Sequence, residues 1–389
     1  MAHTGYMRPR NRLLTAVSAV GVLTVAGGVA IASTISGSTA STAVPGNAAA
    51  ARPSISVVAE RTIAEDLTSP WGLAFLPDGS ALISERDTAQ VRRIASRTFG
   101  LPAASLTRAQ VVGKVSGVRP DGEGGLLGIA IPETIGDAEP DYIFAYLTAK
   151  RDNRVVRIEW DGRRLGKQAP ILTGIPKASY HNGGRIITGP NRTLFVATGD
   201  AGDPDLSQDQ ASLAGKVLRI DYRGNPAPGN PFEDSPVYTL GHRNVQGLAL
   251  DNDGRLWATE FGTRKADELN LLRPGRNYGW PIVEGRSNNP RFTNPKVTWE
   301  PTSTASPSGM TITDDAAYVA SLRGEVVWRV PLKGAQAGKP QKVDIEKGNR
   351  LRTIELAPDG RVWLATSNTD GRGDPGPRDD RIVSFRLTD

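Results

Sequence analysis

Short apolar segments recur along the chain in pairs, and a polar turn separates the two members of each pair. The clearest copy is GLALDNDGRLWATEFG at residues 247–262, where apolar and polar positions alternate on both sides of Asn-Asp-Gly. Such alternation around a Pro-Asp-Gly or Asp-Gly turn predicts a β-hairpin. Long helical periodicity is scarce. The chain carries six copies of this pattern, at residues 72–87, 125–149, 183–200, 247–262, 309–324 and 354–368.

The hairpins begin roughly 45 to 65 residues apart, which is the spacing of four-stranded propeller blades. Several copies are followed by a third apolar segment, as in RVVRIEW (154–160), KVLRIDY (216–222) and EVVWRV (325–330). One blade cannot bury both of its faces, so the blades need a closed ring. We therefore predict an all-β fold, a six-bladed β-propeller with four-stranded antiparallel blades. A β-sandwich followed by a separate domain is the alternative, and it explains the regular repetition poorly.

The first residues differ from this pattern and resemble a secretory signal. MRPRNR is followed by an uncharged, mostly apolar stretch at residues 13–32 and then by the small-residue tract NAAAARPS. This order is typical of an exported protein whose leader is removed, here between about Ala32 and Ala51. We predict a signal peptide and linker at 1–51 and one propeller domain at 52–389, with a secreted mature protein. An uncleaved membrane anchor is the alternative, because twenty residues can span a bilayer.

Composition excludes several kinds of site. The chain has no cysteine, so disulfides, thiolate metal sites and cysteine nucleophiles are impossible. Its 43 glycines and 28 prolines suit turn-rich β structure. The formal net charge is +6, and half of it comes from Arg8, Arg10 and Arg12 of the leader. Without basic runs in the remainder, nucleic acid is not an expected partner. After cleavage of the leader, no stable membrane insertion is expected.

A propeller is a scaffold, so its function has to come from the loops around the central channel. Four polar clusters flank the predicted hairpins. They are DGEGGLLG (121–128) with Glu123, YHNGGR (180–185) with His181 and its hairpin end Asp200, LGHRNVQG (240–247) with His242, Arg243 and Asn244, and NRLRTIEL (349–356) with Arg350 and Arg352. Singly, each cluster has a structural explanation: a Gly pair is usually a turn, and an isolated Arg is usually solvated.

Together the clusters say more than any of them alone. Arg350 and Arg352 alternate, so they share one face of an extended segment. With Arg243 and Arg323 they would surround a single channel with cations. Clustered arginines suit the planar, bidentate recognition of carboxylates, so the expected ligand is a polyanion. His181 beside such a ligand is a candidate general base.

These motifs carry a resemblance to a known family. GEGGLLG, HNGGRI, GHRNVQGLAL, EFGTRKADELN with RNYGWP, and NRLRTIELAPDGRVWLAT occur in this order between about Ile63 and Leu387. The sequence resembles the soluble glucose and sorbosone dehydrogenases, also called aldose sugar dehydrogenases. The resemblance implies a six-bladed propeller that uses pyrroloquinoline quinone (PQQ) and calcium. It also implies oxidation of the anomeric C1 hydroxyl of aldoses to lactones, with electrons passed to an external acceptor, by a monomer or homodimer.

The resemblance also assigns roles to residues. His181 matches the base that removes the proton of the anomeric hydroxyl while hydride passes to the quinone, and Asp200 matches the acid that orients it. The positions that contact the cofactor are matched by Glu123, Arg243, Asn244, Arg323, Arg350 and Arg352. Arg243 would stabilise the charge that develops as hydride arrives, and Arg350 and Arg352 would face the cofactor's carboxylates.

The implied calcium sites use few acidic side chains. Gly262 and Thr263 match positions whose backbone carbonyls hold the calcium that polarises the quinone. Glu268 and Tyr278 match positions that ligate a second, structural calcium. Hard oxygen ligands of this kind suit calcium.

The chain departs from the family pattern at four places. Glu123 replaces a glutamine, Tyr180 stands where an aspartate can occur, and Arg323 occupies a lysine position. The segment PTSTASPSG at 301–309 has no tryptophan, where some members stack one on the cofactor. Cofactor affinity and sugar preference depend on these positions.

Two other functions remain open at this stage. A calcium-dependent propeller lactonase would need several carboxylate and Asn side chains converging on the metal, and the arginine cluster argues against it. A non-catalytic propeller that binds carbohydrate or protein is the second alternative. The glutamate at position 123 and the missing tryptophan support that reading.

Overall fold

The structure is a computed structural model that describes residues 56–95, 109–133 and 138–388. The described residues belong to one compact unit, Pro53–Asp389. The predicted signal peptide and linker at 1–51 lie outside the described residues. Within the described ranges, no helix is long and apolar enough to cross a membrane.

Within these ranges the chain forms six four-stranded antiparallel sheets, which confirms the predicted propeller. The first three complete blades are β2 (Pro70–Phe75), β3 (Ala81–Glu85), β4 (Gln90–Ile94) and β5 (Gln110–Lys114); β6 (Leu126–Ala130), β7 (Tyr142–Thr148), β8 (Asn153–Trp160) and β9 (Leu165–Ile175); and β10 (Ile186–Gly189), β11 (Thr193–Ala197), β12 (Lys216–Asp221) and β13 (Val237–Leu240). The next two are β14 (Val245–Leu250), β15 (Leu256–Glu260), β16 (Asp267–Leu271) and β17 (Val297–Trp299); and β18 (Pro307–Ile312), β19 (Ala316–Ser321), β20 (Val327–Pro331) and β21 (Gln341–Val343).

The sixth blade joins the two ends of the domain. Its strands are β22 (Leu351–Leu356), β23 (Val362–Thr366), β24 (Ile382–Thr388) and the first strand of the chain, β1 (Ser56–Ala64). Strand β1 pairs antiparallel with β24 and covers its edge. In the described part of the chain, the connecting loops contain two short 3-10 helices, Pro204–Ser207 and Thr302–Thr304.

The six predicted hairpins are the two innermost strands of the six blades. The third apolar segments RVVRIEW, KVLRIDY and EVVWRV fall on β8, β12 and β20, each third in its blade. The outermost strands were not predicted individually. Strand β9 shows why: only Ile175 of its eleven residues is buried, so its sequence lacks a clear apolar alternation.

The core lies between neighbouring blades rather than inside any one of them. One apolar cluster joins Trp363 and Ile382 of the sixth blade with Leu73 and Ile83 of the first, and Ile63 of β1 belongs to the same cluster. The innermost strands approach each other closely. A Cβ atom on Gly247 would lie 2.3 Å from the carbonyl oxygen of Ser308 on the next blade. A glycine on this strand therefore lets the blades close around the channel.

Five of the six innermost strands carry a β-bulge near their first residues. The pairing register shifts by one residue in β2, β6, β14, β18 and β22. A bulge re-aims the side chains beside it. Trp71, Gln246 and Arg352 lie at three of these shifts, and all three side chains line one cavity at that end of the ring.

Candidate active site

Two adjoining cavities open where the innermost strands begin. The first, of about 290 Å³, is called the arginine cavity and is lined by Trp71, Arg86, Gln246, Arg352 and Asp370 among others. The second, of about 610 Å³, is called the histidine cavity and is lined by Tyr180, His181, Arg243, Thr263 and Arg323 among others. Five residues line both cavities and make them contiguous, namely Glu123, Phe261, Leu322, Arg350 and Arg372.

His181 lies at the start of the third blade with its ring held by a buried carboxylate. Its Nδ1 is 2.7 Å from Oδ1 of Asp200, which is 1% exposed. Asp200 is itself fixed, because Gly202 N donates to Oδ1 (2.9 Å) and Trp280 Nε1 donates to Oδ2 (2.9 Å). A carboxylate accepts hydrogen bonds, so Nδ1 carries the proton and Nε2 keeps its lone pair. No group of the described residues bonds to Nε2.

The backbone of His181 has an unusual conformation that a neighbouring carboxylate supports. Its φ is 58°, in the left-handed region that non-glycine residues seldom occupy. Glu123 Oε2 accepts a hydrogen bond from His181 N at 3.0 Å. The other oxygen of Glu123 accepts from the Arg372 guanidinium at 2.8 Å. The glutamate therefore ties the His181 turn to a loop of the sixth blade.

Arg243 lies beside His181 and reaches the loop of the predicted metal position. Its Nη1 donates to the carbonyl oxygen of Gly262 at 2.7 Å, and its guanidinium lies 5.5 Å from the Trp280 ring. Burial lowers the pKa of Arg243, and the nearby carboxylates of Asp200 and Glu284 oppose that shift. Its Nε is buried without a hydrogen-bond partner among the described residues.

Asn244 is placed behind the turn that carries His181. It is fully buried, and its Oδ1 accepts a hydrogen bond from Gly183 N at 3.0 Å. Its Nδ2 has no partner among the residues described. The neighbouring His242 has a different environment, since its Nδ1 contacts Glu260 (2.8 Å) and its Nε2 contacts Thr239 (2.9 Å). Both ring nitrogens of His242 are therefore engaged within the protein, which indicates a structural role.

Arg350 and Arg352 both contact the carboxylate of Asp370, a residue that the sequence analysis did not single out. Nη2 of Arg350 lies 2.9 Å from Oδ2 of Asp370, and Nη2 of Arg352 lies 3.5 Å from the same oxygen. Burial lowers the pKa of Arg352 to about 9. Burial alone raises the pKa of Asp370, but Arg352 and Arg350 bring it below its usual value. Arg323 follows β19, is exposed, and lines the histidine cavity.

The arginine cavity has more cations than carboxylates. Four guanidinium groups line it, from Arg86, Arg350, Arg352 and Arg372, against the carboxylates of Glu123 and Asp370. Nε of Arg352 is buried without a partner in the described part of the chain. Guanidinium groups bind carboxylates through two parallel N–H donors, so a cavity with more guanidinium groups than carboxylates suits a polycarboxylate ligand. The residues present therefore fit a ligand with the carboxylates of PQQ.

The predicted calcium positions lie on a loop held by acidic side chains. Asp267 accepts from Gly262 N (2.9 Å), and Glu284 accepts from Thr263 N (2.7 Å). Burial raises the pKa of Asp267 to about 7. Across the described ranges, no group of three or more His, Asp or Glu side chains is arranged to hold a metal ion. A cation at this loop would therefore depend on the backbone carbonyls of Gly262 and Thr263.

Glu268 and Tyr278 lie together beside this loop, at a narrow cavity of about 10 Å³. Glu260 and Glu284 line the same cavity. Burial, followed by the charge of Glu260, raises the pKa of Glu268 to about 8. The Tyr278 hydroxyl donates to the carbonyl of Leu271 at 2.8 Å, so its hydrogen atom is already engaged.

Four contributors to the site were missed from the sequence. Trp280 lies in the quoted motif RNYGWP, so a signal was present. Asp370 and Arg372 lie in the loop TDGRGDPGPRDD between β23 and β24, outside the repeated hairpins. Arg86 ends the first hairpin, and its Nη2 donates to the carbonyl of Asp370 at 3.0 Å. Charge clustering across blades was the only signal available for these three residues.

The chain is similar to several known proteins along most of the described propeller. The structure of the PQQ-bound aldose sugar dehydrogenase from Streptomyces coelicolor is 47% identical, with a TM-score of 0.78, and the match covers 86% of this chain and 98% of that one. Aldose sugar dehydrogenase YliI of Escherichia coli is 25% identical over 79% of this chain and 89% of its own length. Quinoprotein glucose dehydrogenase B of Acinetobacter calcoaceticus is 30% identical over 58% of this chain and 53% of its own.

The family match covers five complete blades, the two inner strands of the sixth blade and the residues of the candidate site. Residues 67–373 match the glucose/sorbosone dehydrogenase family, a range that runs from the end of β1 to the loop carrying Asp370 and Arg372. It follows that the chain belongs to the glucose/sorbosone dehydrogenase family of oxidoreductases.

Proposed function

We propose that this protein oxidises the C1 hydroxyl of aldose sugars to lactones with PQQ and calcium, and passes the electrons to an external acceptor. The proposal rests on one observation: His181, whose Nε2 has no partner among the described residues, lines a cavity that adjoins a second cavity lined by four arginines. A PQQ-bound relative of 47% identity supports the same cofactor.

The cofactor would occupy the arginine cavity. Arg350, Arg352 and Arg372 would pair with its carboxylates, and the unpartnered Nε of Arg352 would gain an acceptor. When bound, PQQ supplies a two-electron acceptor for the hydride that leaves the sugar C1. Arg243 offers a half-buried positive charge at the wall of the histidine cavity.

His181 would handle the proton of the substrate. Its Nε2 removes the proton of the anomeric hydroxyl, and the charge that develops on the ring is stabilised by Asp200 at Nδ1. Trp280 and Gly202 hold both oxygens of Asp200, so the imidazole keeps one orientation while it changes protonation state. Glu123 fixes the backbone of the same residue.

Calcium is part of the proposal and rests on the donor atoms at the Gly262 loop. The carbonyl oxygens of Gly262 and Thr263, at the border of the histidine cavity, would hold the cation, and the Gly262 carbonyl would give up the hydrogen bond that it accepts from Arg243 Nη1. A second cation beside Glu268 is proposed only from the resemblance, since both oxygens of Glu268 already accept hydrogen bonds, from Asn270 Nδ2 and Gly285 N. We also propose export, on the basis of the basic and apolar leader of the sequence.

Reconstitution tests the proposal. Purified protein is mixed with PQQ, calcium and a panel of aldoses, and reduction of a dye is followed. We expect dye reduction only when protein, quinone, calcium and sugar are all present. Opening of a lactone with calcium alone would indicate a propeller hydrolase instead. Absence of both activities, together with sugar binding, would indicate a non-catalytic binding protein.

A further inference from the structure

Tyr180 is an exposed aromatic side chain next to the candidate base. It is 45% exposed, and it lines the histidine cavity together with His181. The two rings are perpendicular, at 88°, with centroids 4.6 Å apart. A half-exposed aromatic ring at the wall of a large cavity is a common feature of ligand sites.

The ring of Tyr180 is held in place by the same loop that fixes the base. A Cβ atom on Gly202 would lie 2.8 Å from the Tyr180 hydroxyl oxygen and 2.9 Å from Cζ, so the Gly202 backbone packs directly against the ring. Gly202 N also donates to Asp200 at 2.9 Å. One turn therefore positions both the tyrosine and the carboxylate partner of His181.

The hydroxyl group of Tyr180 is available for a ligand. It forms no hydrogen bond with any residue of the described ranges, whereas a tyrosine hydroxyl that has a structural role is normally bonded. Tyr180 thus lines a cavity of about 610 Å³ with an aromatic ring and with a hydroxyl group that has no hydrogen-bond partner among the described residues. That combination matches a pyranose, whose ring carbons carry an apolar C–H face and whose rim carries hydroxyl groups.

We propose that Tyr180 is the stacking platform for the pyranose ring of the substrate, an inference that rests on the proposed function. A sugar whose anomeric hydroxyl reaches His181 has its remaining ring atoms within a few ångströms of that imidazole. The Tyr180 ring, centred 4.6 Å from the imidazole, lines the same cavity and is near enough to contact those atoms. The platform selects a cyclic aldose over an open-chain polyol with the same number of hydroxyl groups.

The test compares Tyr180→Ala and Tyr180→Phe with wild type. Binding of D-glucose and of D-sorbitol to the full chain is measured by ligand-observed NMR titration, and KM and kcat are measured with PQQ and calcium. Loss of the ring should weaken D-glucose binding and raise KM by about tenfold, the size of an aromatic contact. Tyr180→Phe should stay within about threefold of wild type, and D-sorbitol should be insensitive to both changes.

Ile282→Ala is the matched control. Ile282 is also an exposed apolar residue, at 59%, and it lines neither of the two cavities, so its removal should change none of these quantities. Equal D-glucose affinity in wild type and Tyr180→Ala would overturn the inference, as would undetectable D-glucose binding to wild type. A fall in kcat at unchanged KM would overturn it too, because it would show that Tyr180 acts only through the orientation of His181. The two proposals can fail separately. If wild type binds D-glucose through Tyr180 but reduces no dye, the proposed function is wrong and the stacking role of Tyr180 is retained.

Discussion

His181 and His242 have the same carboxylate contact and opposite surroundings. Each Nδ1 lies within hydrogen-bond distance of an acidic side chain, 2.7 Å from Asp200 and 2.8 Å from Glu260. The difference is at Nε2, which bonds to Thr239 in His242 and faces a cavity in His181. A base needs a free lone pair directed at the substrate, so only His181 meets the geometric requirement.

Replacing His181 by glutamine should therefore remove catalysis and retain cofactor binding. We expect His181→Gln to lower sugar-dependent dye reduction by at least about 100-fold, the usual contribution of a general base. The quinone affinity should stay within about threefold, measured by titration of the protein's tryptophan fluorescence. His242→Gln is the control, since it should lower the melting temperature by breaking a buried contact. Full activity of His181→Gln would exclude His181 as the base.

Glu123 partly neutralises the positive charge of the arginine cavity, which the proposed cofactor requires. It pairs with Arg372 at 2.8 Å, so Glu123→Gln releases that guanidinium and makes the arginine cavity more positive. We expect Glu123→Gln to tighten PQQ binding by about two- to fivefold at low salt, with the difference shrinking at high salt. Arg350→Ala combined with Arg352→Ala should have the opposite effect. Weaker binding in Glu123→Gln would contradict this role.

At the scale of elements, one buried lysine organises the loop that begins with Asp200. Lys216 opens β12, and its Nζ donates to the carbonyls of Leu206 (2.7 Å), Ser207 (3.2 Å) and Ala214 (2.6 Å). An ammonium group thus gathers three backbone oxygens in the way a metal ion would. Burial lowers the pKa of Lys216 to about 8, well below the ordinary value of 10.5.

This shifted pKa predicts a pH-dependent contribution to stability. Between about pH 8 and pH 10.5 the unfolded chain keeps a proton on Lys216 that the folded chain has released, so raising the pH favours the folded state. The free energy of unfolding of wild type, relative to Lys216→Met, should rise by about 1 to 2 kcal/mol from pH 8 to pH 10. Urea denaturation at both pH values measures it.

The exposed Lys333 offers the control for this experiment. Lys333→Met should show the same change with pH as wild type, because a solvated lysine has similar pKa values in both states. A constant difference between wild type and Lys216→Met across this range would mean that Lys216 stays charged in the folded protein.

At the scale of the whole molecule, the ring is closed by strand β1. It pairs with β24 and delivers Ile63 to the apolar cluster between the sixth and first blades. Arg361 reinforces the junction through Ala59, whose carbonyl accepts from its Nη2, and through the carbonyl of Ser384 at 2.8 Å. Without β1, the edge of β24 and one interblade cluster would be exposed to water.

Removal of β1 should therefore destabilise the entire propeller. A chain that begins at Pro53 should melt at the same temperature as one that carries the leader. A chain that begins at Asp66 should melt more than about 10 °C lower or fail to unfold cooperatively, because it loses a strand and its buried side chains. Calorimetry of the two chains decides the matter. Equal melting temperatures would show that the ring closes without β1.

The sequence by itself determined the repeat, and through it the fold. Alternation around Asp-Gly turns is a local property of the sequence. Successive side chains of a strand point to opposite faces, so the apolar positions show which face of each hairpin is buried. Six such hairpins at blade spacing left one architecture that could bury them all. The pair His181 and Asp200 was also within reach, because both residues lie at the ends of a single predicted hairpin.

Only the tertiary structure decided which residues share a cavity. Asp370 and Arg372 lie in an irregular loop, and Arg372 meets Glu123 across 249 positions of the sequence. Trp71, Gln246 and Arg352 lie at bulges of three different blades and line one cavity. Contacts of this kind follow from closure of the ring, which sums small rotations over all six blades. Local patterns therefore specify the blades, while the distances between side chains of different blades exist only once the ring has closed.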